Sequence, residues 1–425
     1  MECRKIRIGI AGLGKIGCAA VNEFDKQKEN FKMEAGLEII LKKTADKDME
    51  REIYSLPFTK NVEEIIDDGE IDIFVELIGG YSPAYEHIKN ALLKGKHVIT
   101  ANKAVIDRYG SELEIIALEH ERYLRFSASV GGGMGVIDKI TSSEGNNTKE
   151  ILGILNGTTN YILTRMNKGM DYNTALLEAQ EKGFAEANPE FDVSGKDAAQ
   201  KLAIITSINF KTKISSEEIY CEGIKKISSE DIAFAKQLGY TIKLLAISRL
   251  KDNLLEASVQ PVLLPKRHAL SSINYETNAI YLKGNANIML SGEGAGKPTA
   301  AAIMTDIRQI SRMMQNPYQK ISFFGTNKFE IVEKENLESR FYLKFYGLDK
   351  PGTLHNLTGI LASHNINISQ AIQIGEEREN FVPVVITTDK TKYGEIIKAI
   401  SNISREKLRF GSVFMISNCD YPDKE

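Results

Sequence analysis

Three glycines at fixed spacing, two lysines and a short run of acids are the residues whose types and positions could do chemistry. Gly12-Leu13-Gly14-Lys15-Ile16-Gly17 follows the alternating, Ile-rich segment Lys5–Ile10 and precedes a helical pattern. That strand–loop–helix context is what a dinucleotide-binding glycine loop needs. The first Gly allows the tight turn, the second lets the backbone approach a pyrophosphate, and the third lets helix and strand pack closely. The helix N-terminus then offers free N–H groups to the phosphates. A ribose-reading residue belongs at the end of the second strand, here Thr44-Ala45-Asp46-Lys47-Asp48. Asp46 could bond the ribose hydroxyls of NAD, whereas Lys47, or Lys42 and Lys43, could neutralise the 2′-phosphate of NADP.

A second constellation lies in 186–201. Ser194–Asn209 reads as a helix with Ser194 as its cap and Asp197 as the acid of a capping box. Its polar face holds Lys196, Gln200 and Ser207. Lys201 falls instead on the apolar stripe of Ile204, Ile205 and Ile208, so it either snorkels out or serves a pocket. An i,i+4 pair with Asp197 would be the ordinary explanation. Glu186 and Asp192 beside the Asn188-Pro189 loop add acids to the same short stretch, which suits a small charged substrate. Lys103 follows the strand His97–Thr100, at the strand end where open α/β sheets bind ligands.

The elements that must position these residues are legible in outline. Strand patterns at Leu37–Thr44, Ile71–Ile78, His97–Thr100 and Tyr123–Ser129 alternate with helical stretches at Ile16–Phe24, Pro83–Leu93 and Ser111–Glu121. That alternation predicts a Rossmann-type parallel α/β sheet over 1–130. The helix near 298–315 is expected to complete it. Residues 131–297, with longer helices and a strand run at Leu254–Leu264, read as an α+β substrate and dimerisation domain. Gln319–Glu338 reads as a connector. The 340–420 stretch reads strand, helix, strand, strand, helix, strand, the ferredoxin-like βαββαβ order. Its parts are Phe341–Tyr346, Leu354–His364, Asn367–Ile374, Val382–Thr388, Tyr393–Ile400 and Ser412–Ser417.

Composition excludes several classes. The 425 residues are 42% hydrophobic and 26% charged, ordinary globular usage and enough for two or three domains. With 54 basic and 57 acidic side chains the net charge is −3, which gives no general attraction to nucleic acid or anionic membrane. Apolar runs are too short to span a bilayer and the N-terminus lacks a signal-like apolar region, so the expectation is cytoplasmic. Cys3, Cys18, Cys221 and Cys419 are scattered, which suggests neither a zinc site nor a disulfide framework.

Longer blocks resemble the homoserine dehydrogenase family. The stretch from Ala179 to Lys201 is similar to that family's signature from end to end. Glu76–Gly80, Gly95–Lys103, Gly153–Ile162 and Gly292–Ala300 are similar to its other blocks. The tail resembles an ACT domain, and no aspartokinase-like segment precedes the first strand, so the expectation is the monofunctional form. The resemblance implies NAD(P)-dependent interconversion of L-aspartate 4-semialdehyde and L-homoserine. Lys201 would be the main proton donor and acceptor, with Lys103 beside it. Glu186, Asp192 and Asp197, with Gly157 and Thr158, would bind the amino acid. Gly12, Leu13, Gly14, Lys15, Ile16 and Gly17, together with Asp46, Lys103, Gly183 and Gly294, would line the cofactor. A monovalent cation, sodium, is implied at the carbonyls of Val130, Gly132 and Met134. Ser127 stands where the family has a glutamate ligand, Gly135 where it has a proline, and Ala45 where it has an arginine. An amino-acid effector at the ACT domain and a homodimer or homotetramer complete the implied picture. Two other classes are open to the same residues. A thioester-forming aldehyde dehydrogenase would need a positioned cysteine, and a non-catalytic amino-acid sensor would have no use for Lys201 or the glycine loop.

Overall fold

The computed structural model describes residues 4–35, 37–48, 56–142, 146–294, 296–373, 380–403 and 407–417. Cys3, Cys419, Ile374 and the end of the tail at 418–420 lie outside the described residues. The chain forms two compact units. The first comprises 1–149, 200–218 and 278–329; the second comprises 150–199, 219–277 and 330–425.

The first unit is built on six parallel strands: β1 (Arg4–Ala11), β2 (Leu37–Ala45), β3 (Phe58–Thr59), β4 (Ile73–Glu76), β5 (His97–Thr100) and β6 (Leu124–Arg125). Their order is β3-β2-β1-β4-β5-β6, the doubly wound Rossmann arrangement. The order reverses between β1 and β4, so the glycine loop leaves β1 at the topological switch point. Ile6, Ile8 and Ile10 of β1 are fully buried, packed with Ala20, Val21 and Phe24 of the following helix. Ile303, Ile307 and Ile310 of the Lys297–Met313 helix join the same core.

Several local expectations need correction here. The helix after the glycine loop runs from Lys15 to Ala35, well past Phe24. The helix expected at Ser111–Glu121 begins at Lys103, because the Asn102 side chain caps it by accepting the Val105 N–H at 3.2 Å. The strand expected over Tyr123–Ser129 stops at Arg125. The Ser127 N–H turns to the Asp306 carboxylate at 3.0 Å and the Ser129 N–H to the Phe126 carbonyl, so 127–129 winds into a 3₁₀ turn. The expected connector is a tether at its first part. The buried Glu114 carboxylate accepts from the Phe323 and Phe324 amides and the Ser322 hydroxyl.

Among the described residues, the longer strands of the second unit run along one sheet: β7 (Glu150–Ile154), β8 (Tyr240–Lys251), β9 (Leu254–Pro265), β10 (Glu338–Leu348), β11 (Ile368–Gln373), β12 (Phe381–Thr388) and β13 (Leu408–Ile416). Their order is β7-β8-β9-β13-β10-β12-β11. β8 and β9 form a long antiparallel hairpin. β10, β11, β12 and β13, with helices Thr353–Ser363 and Tyr393–Ser401, are the ferredoxin-like tail. Its strand β13 pairs in parallel with β9, Val262 against Met415 and Leu263 against Ile416. The tail's sheet is therefore an extension of the hairpin's sheet.

Candidate active site

The glycine loop and the cleft beside it lie within the first unit. Gly12 sits at φ +95°, and a Cβ there would lie 2.5 Å from the Leu77 carbonyl, so neither its conformation nor its space admits a side chain. Gly14 faces open space, which leaves its backbone approachable. Gly12, Gly14, Asp46, Lys47, Leu77 and Ile78 line a cleft of about 570 Å³ beyond the C-terminal ends of β1, β2 and β4. The Asp46 carboxylate accepts from the Leu13 amide at 2.6 Å and from the Asp48 amide at 3.0 Å. It thus fastens the glycine loop to the end of β2. A narrow glycine turn, an open cleft and a helix start that leaves its first-turn amides without carbonyls one turn back fit a dinucleotide.

Thr100 and Glu76 organise the neighbouring strand ends. Fully buried Glu76 accepts the Thr100 hydroxyl at 2.6 Å and the Ile78 amide at 2.7 Å. Lys103, half-buried, is the first residue of the helix that Asn102 caps, which holds it at the C-terminal end of β5.

The acidic side lies in the second unit. Asn156 is the N-cap of helix Gly157–Asn167, its side-chain oxygen accepting from the Thr159 amide at 2.8 Å. The amide nitrogen of Asn156 donates to Asp192 at 2.7 Å and to Asp197 at 2.8 Å. Two expected substrate acids are thus brought to one side chain. Gly157 is required by close approach: a Cβ would lie 2.7 Å from the Glu276 carbonyl. Thr158 donates its hydroxyl to the Phe184 carbonyl at 2.6 Å. Glu186 is exposed on the following loop, where its carbonyl accepts from Gln180. Gly183, at φ +75°, follows helix Tyr172–Glu181, and Gly294 follows strand Ile288–Glu293.

The helix bearing Lys201 spans Lys196–Phe210, not Ser194–Asn209. Ser194 does not cap it. Ser194 ends the preceding short helix, and its hydroxyl reaches the Phe191 carbonyl instead. Gln200 and Ser207, expected on a polar outer face, are buried. The Ser207 hydroxyl is held by the backbone of Ile214, and the Gln200 amide reaches the Tyr81 hydroxyl at 3.4 Å. Lys201 is half-buried among Leu202, Ile204, Ile205 and Ile208, all buried. Asp197, also buried, stands one turn earlier on the same helix.

Sequence reasoning passed over Asn156. Its signal was the preference for Asn at the cap preceding Gly-Thr-Thr, which says nothing about the acids it would reach 36 and 41 residues later.

Of the residues implied for a cation, Val130 and Gly132 are buried. Ser127 is buried, and its hydroxyl donates to Asp306 at 2.7 Å. Asp306 is itself paired with Arg125 at 3.2 Å. Among the described residues, no group of three or more His, Cys, Asp or Glu side chains could hold a metal ion, and no helix is long and apolar enough to cross a membrane.

A Rossmann sheet with an intact glycine loop, joined in sequence to a lysine- and acid-bearing helix and a ferredoxin-like tail, defines the class of nicotinamide-dependent oxidoreductases. Known proteins narrow the class. The sequence model of the homoserine dehydrogenase NAD-binding domain matches residues 12–127, that of homoserine dehydrogenase matches 136–307, and that of the ACT domain matches 341–405. The chain is 36% identical over 417 residues to the homoserine dehydrogenase of Synechocystis, covering 94% of this chain and 96% of that one. It is 34% identical to the Bacillus subtilis enzyme over 415 residues, covering 94% and 95%. The crystal structure of the Thiobacillus denitrificans homoserine dehydrogenase superposes with a TM-score of 0.91 at 32% identity, covering 97% of this chain and 98% of that one. The chain belongs to the homoserine dehydrogenase family.

Proposed function

We propose that the chain interconverts L-aspartate 4-semialdehyde and L-homoserine with Lys201 as the proton-transfer residue. The observation that carries this is one helix presenting buried Asp197 and half-buried Lys201 a turn apart, with Asp192 joined to Asp197 through Asn156. A bound nicotinamide supplies the hydride for the aldehyde carbon, or accepts it in the reverse direction. Lys201 gives a proton to the substrate oxygen as the alcohol forms and takes it back on oxidation, with Lys103 as the second lysine of the site. Glu186, Asp192 and Asp197 hold the substrate ammonium, with Gly157 and Thr158 shaping the same region, and so orient the carbonyl. Gly12 to Gly17, Gly183 and Gly294 hold the cofactor.

Asp46 and Ala45 favour NAD, or use of both cofactors. A carboxylate repels a 2′-phosphate and accepts bonds from a ribose diol, while Ala45 offers no guanidinium. A monovalent cation, sodium, would be held by the carbonyls of Val130, Gly132 and Met134, more weakly than with the family's glutamate, since Ser127 stands in its place and turns to Asp306. The ACT domain takes an amino-acid effector, threonine being the first candidate, and the chain works as a homodimer or homotetramer. Among the described residues, neither cysteine favours the thioester alternative: Cys18 bonds the Leu13 carbonyl, and burial pushes the Cys221 thiol up to about 11.

Lys201→Ala tests the central claim. The expected loss in kcat is roughly a hundredfold or more, as for a positioned acid or base, while nicotinamide binding followed by fluorescence titration is retained. A variant with near-normal kcat would reduce Lys201 to an ion-pair partner on its helix.

A further inference from the structure

Asn156 is 5% exposed and uses both ends of its side-chain amide. Its oxygen accepts from the Thr159 amide at 2.8 Å and the Thr159 hydroxyl at 3.0 Å. The Thr159 amide fixes which way the side chain faces, because an NH₂ group turned toward it would meet an N–H rather than an acceptor. The nitrogen must then face away from the helix. Its two hydrogens go to two different carboxylates, Asp192 at 2.7 Å and Asp197 at 2.8 Å.

Two carboxylates that meet at one nitrogen, Asp197 buried and Asp192 half-buried, are close enough to repel each other. A shared double donor offsets part of that repulsion and sets both the separation and the facing of the acids. A single cationic group arriving between them would then find two acceptors already aligned. We propose that Asn156 is a positioning residue for the substrate's ammonium group. It acts through Asp192 and Asp197 and does not itself take part in proton or hydride transfer. The claim rests on the reading that those two acids bind the amino-acid substrate. Because the same amide caps helix Gly157–Asn167, it also ties the backbone at Gly157 and Thr158 to the acid pair.

Two full-length variants separate positioning from folding. Asn156→Asp keeps the capping oxygen and the shape but removes both donors. Asn156→Ser keeps a capping hydroxyl and shortens the side chain. The KM for homoserine is expected to rise about tenfold or more in either variant, the size of effect that loss of hydrogen bonds to charged groups produces. Asn156→Asp, which adds a third negative charge, should show the larger rise. The KM for the nicotinamide cofactor should stay within about twofold in both variants, and the melting midpoint of Asn156→Ser within a few degrees, since its hydroxyl keeps the cap. Asp192→Asn and Asp197→Asn are measured alongside. If they raise the homoserine KM and the Asn156 variants do not, the positioning role is overturned and the substrate reading stands. If neither aspartate variant changes that KM, the substrate reading itself fails. A parallel rise in both KM values with a large fall in the melting midpoint would assign Asn156 to the scaffold alone.

Discussion

Asp46 does structural work that its place in the sequence does not announce. Its place at the end of the second strand marks it as a ribose reader, a local reading that needs only the strand and the loop. In the folded chain its carboxylate also accepts from the Leu13 amide at 2.6 Å, which makes it a brace for the glycine loop. Replacing it by Ala should therefore raise the KM for NADH and NADPH alike, by about tenfold, the worth of a charge-assisted bond to a backbone amide. A pure discriminator would behave differently, with NADPH use improving as the charge is removed. In the unmodified protein, kcat/KM for NADPH should exceed that for NADH by less than about a hundredfold. A larger ratio would overturn the cofactor reading and point to Lys47, which lines the same cleft.

Lys243 belongs to the scale of elements, since it joins three of them. It is fully buried on β8, and its amine donates to the Asn160 side chain at 2.9 Å, to the Ile273 carbonyl and to Asn274 at 3.3 Å. Strand, capped helix and the turn before Thr277 are fixed together at that amine. Burial pushes it down to about 8. The folded state therefore releases this proton near pH 8, whereas an unfolded chain holds it to about 10.4. Between those values the folded form binds fewer protons, so this group's contribution to stability rises with pH; below 8 the whole cost of the buried charge is present. Urea unfolding at several pH values should show the stability of the parent gaining on that of Lys243→Met between pH 8 and 10, by on the order of 3 kcal/mol at full span. At pH 7 the variant should be the less stable protein, because Ile273 and Asn160 lose a buried donor. Parallel curves for the two proteins would mean that Lys243 does not titrate there. A pattern of strand alternation could not have found this residue, since a lone lysine in an apolar run reads as an edge or an error until its acceptors are known.

At the scale of the whole molecule the ACT domain is part of a larger sheet. β13 pairs with β9, and the fully buried Asp231 at the start of helix Ser229–Gln237 accepts from Tyr342 at 3.2 Å and Ser412 at 2.6 Å, with Lys344 at 2.9 Å. Removing Arg340–Glu425 would strip three donors from a buried carboxylate and bare the edge of β9. The truncated chain is expected to melt at least 10 °C lower, or to aggregate, which would follow from losing several kcal/mol. Feedback is therefore better read on the full chain, as inhibition by threonine, methionine, isoleucine or lysine. Indifference to all four would end the effector reading, and a soluble truncation with unchanged melting would show that the shared sheet adds little.

The alternation of strands and helices, the glycine spacing and the Lys201 stripe are periodic or contiguous along the chain, so local sterics and burial make them legible without a fold. The βαββαβ order of the tail is equally local, each element being set by its own pattern. What tertiary structure alone decided are the meetings of distant residues: Asn156 with Asp192 and Asp197, Ser127 with Asp306, Lys243 with Ile273, β13 with β9. Each joins a buried polar group to a partner tens or hundreds of residues away, or pairs one strand's edge with another's. No periodicity marks such a partner, because any buried donor needs only an acceptor, and the fold determines which one arrives.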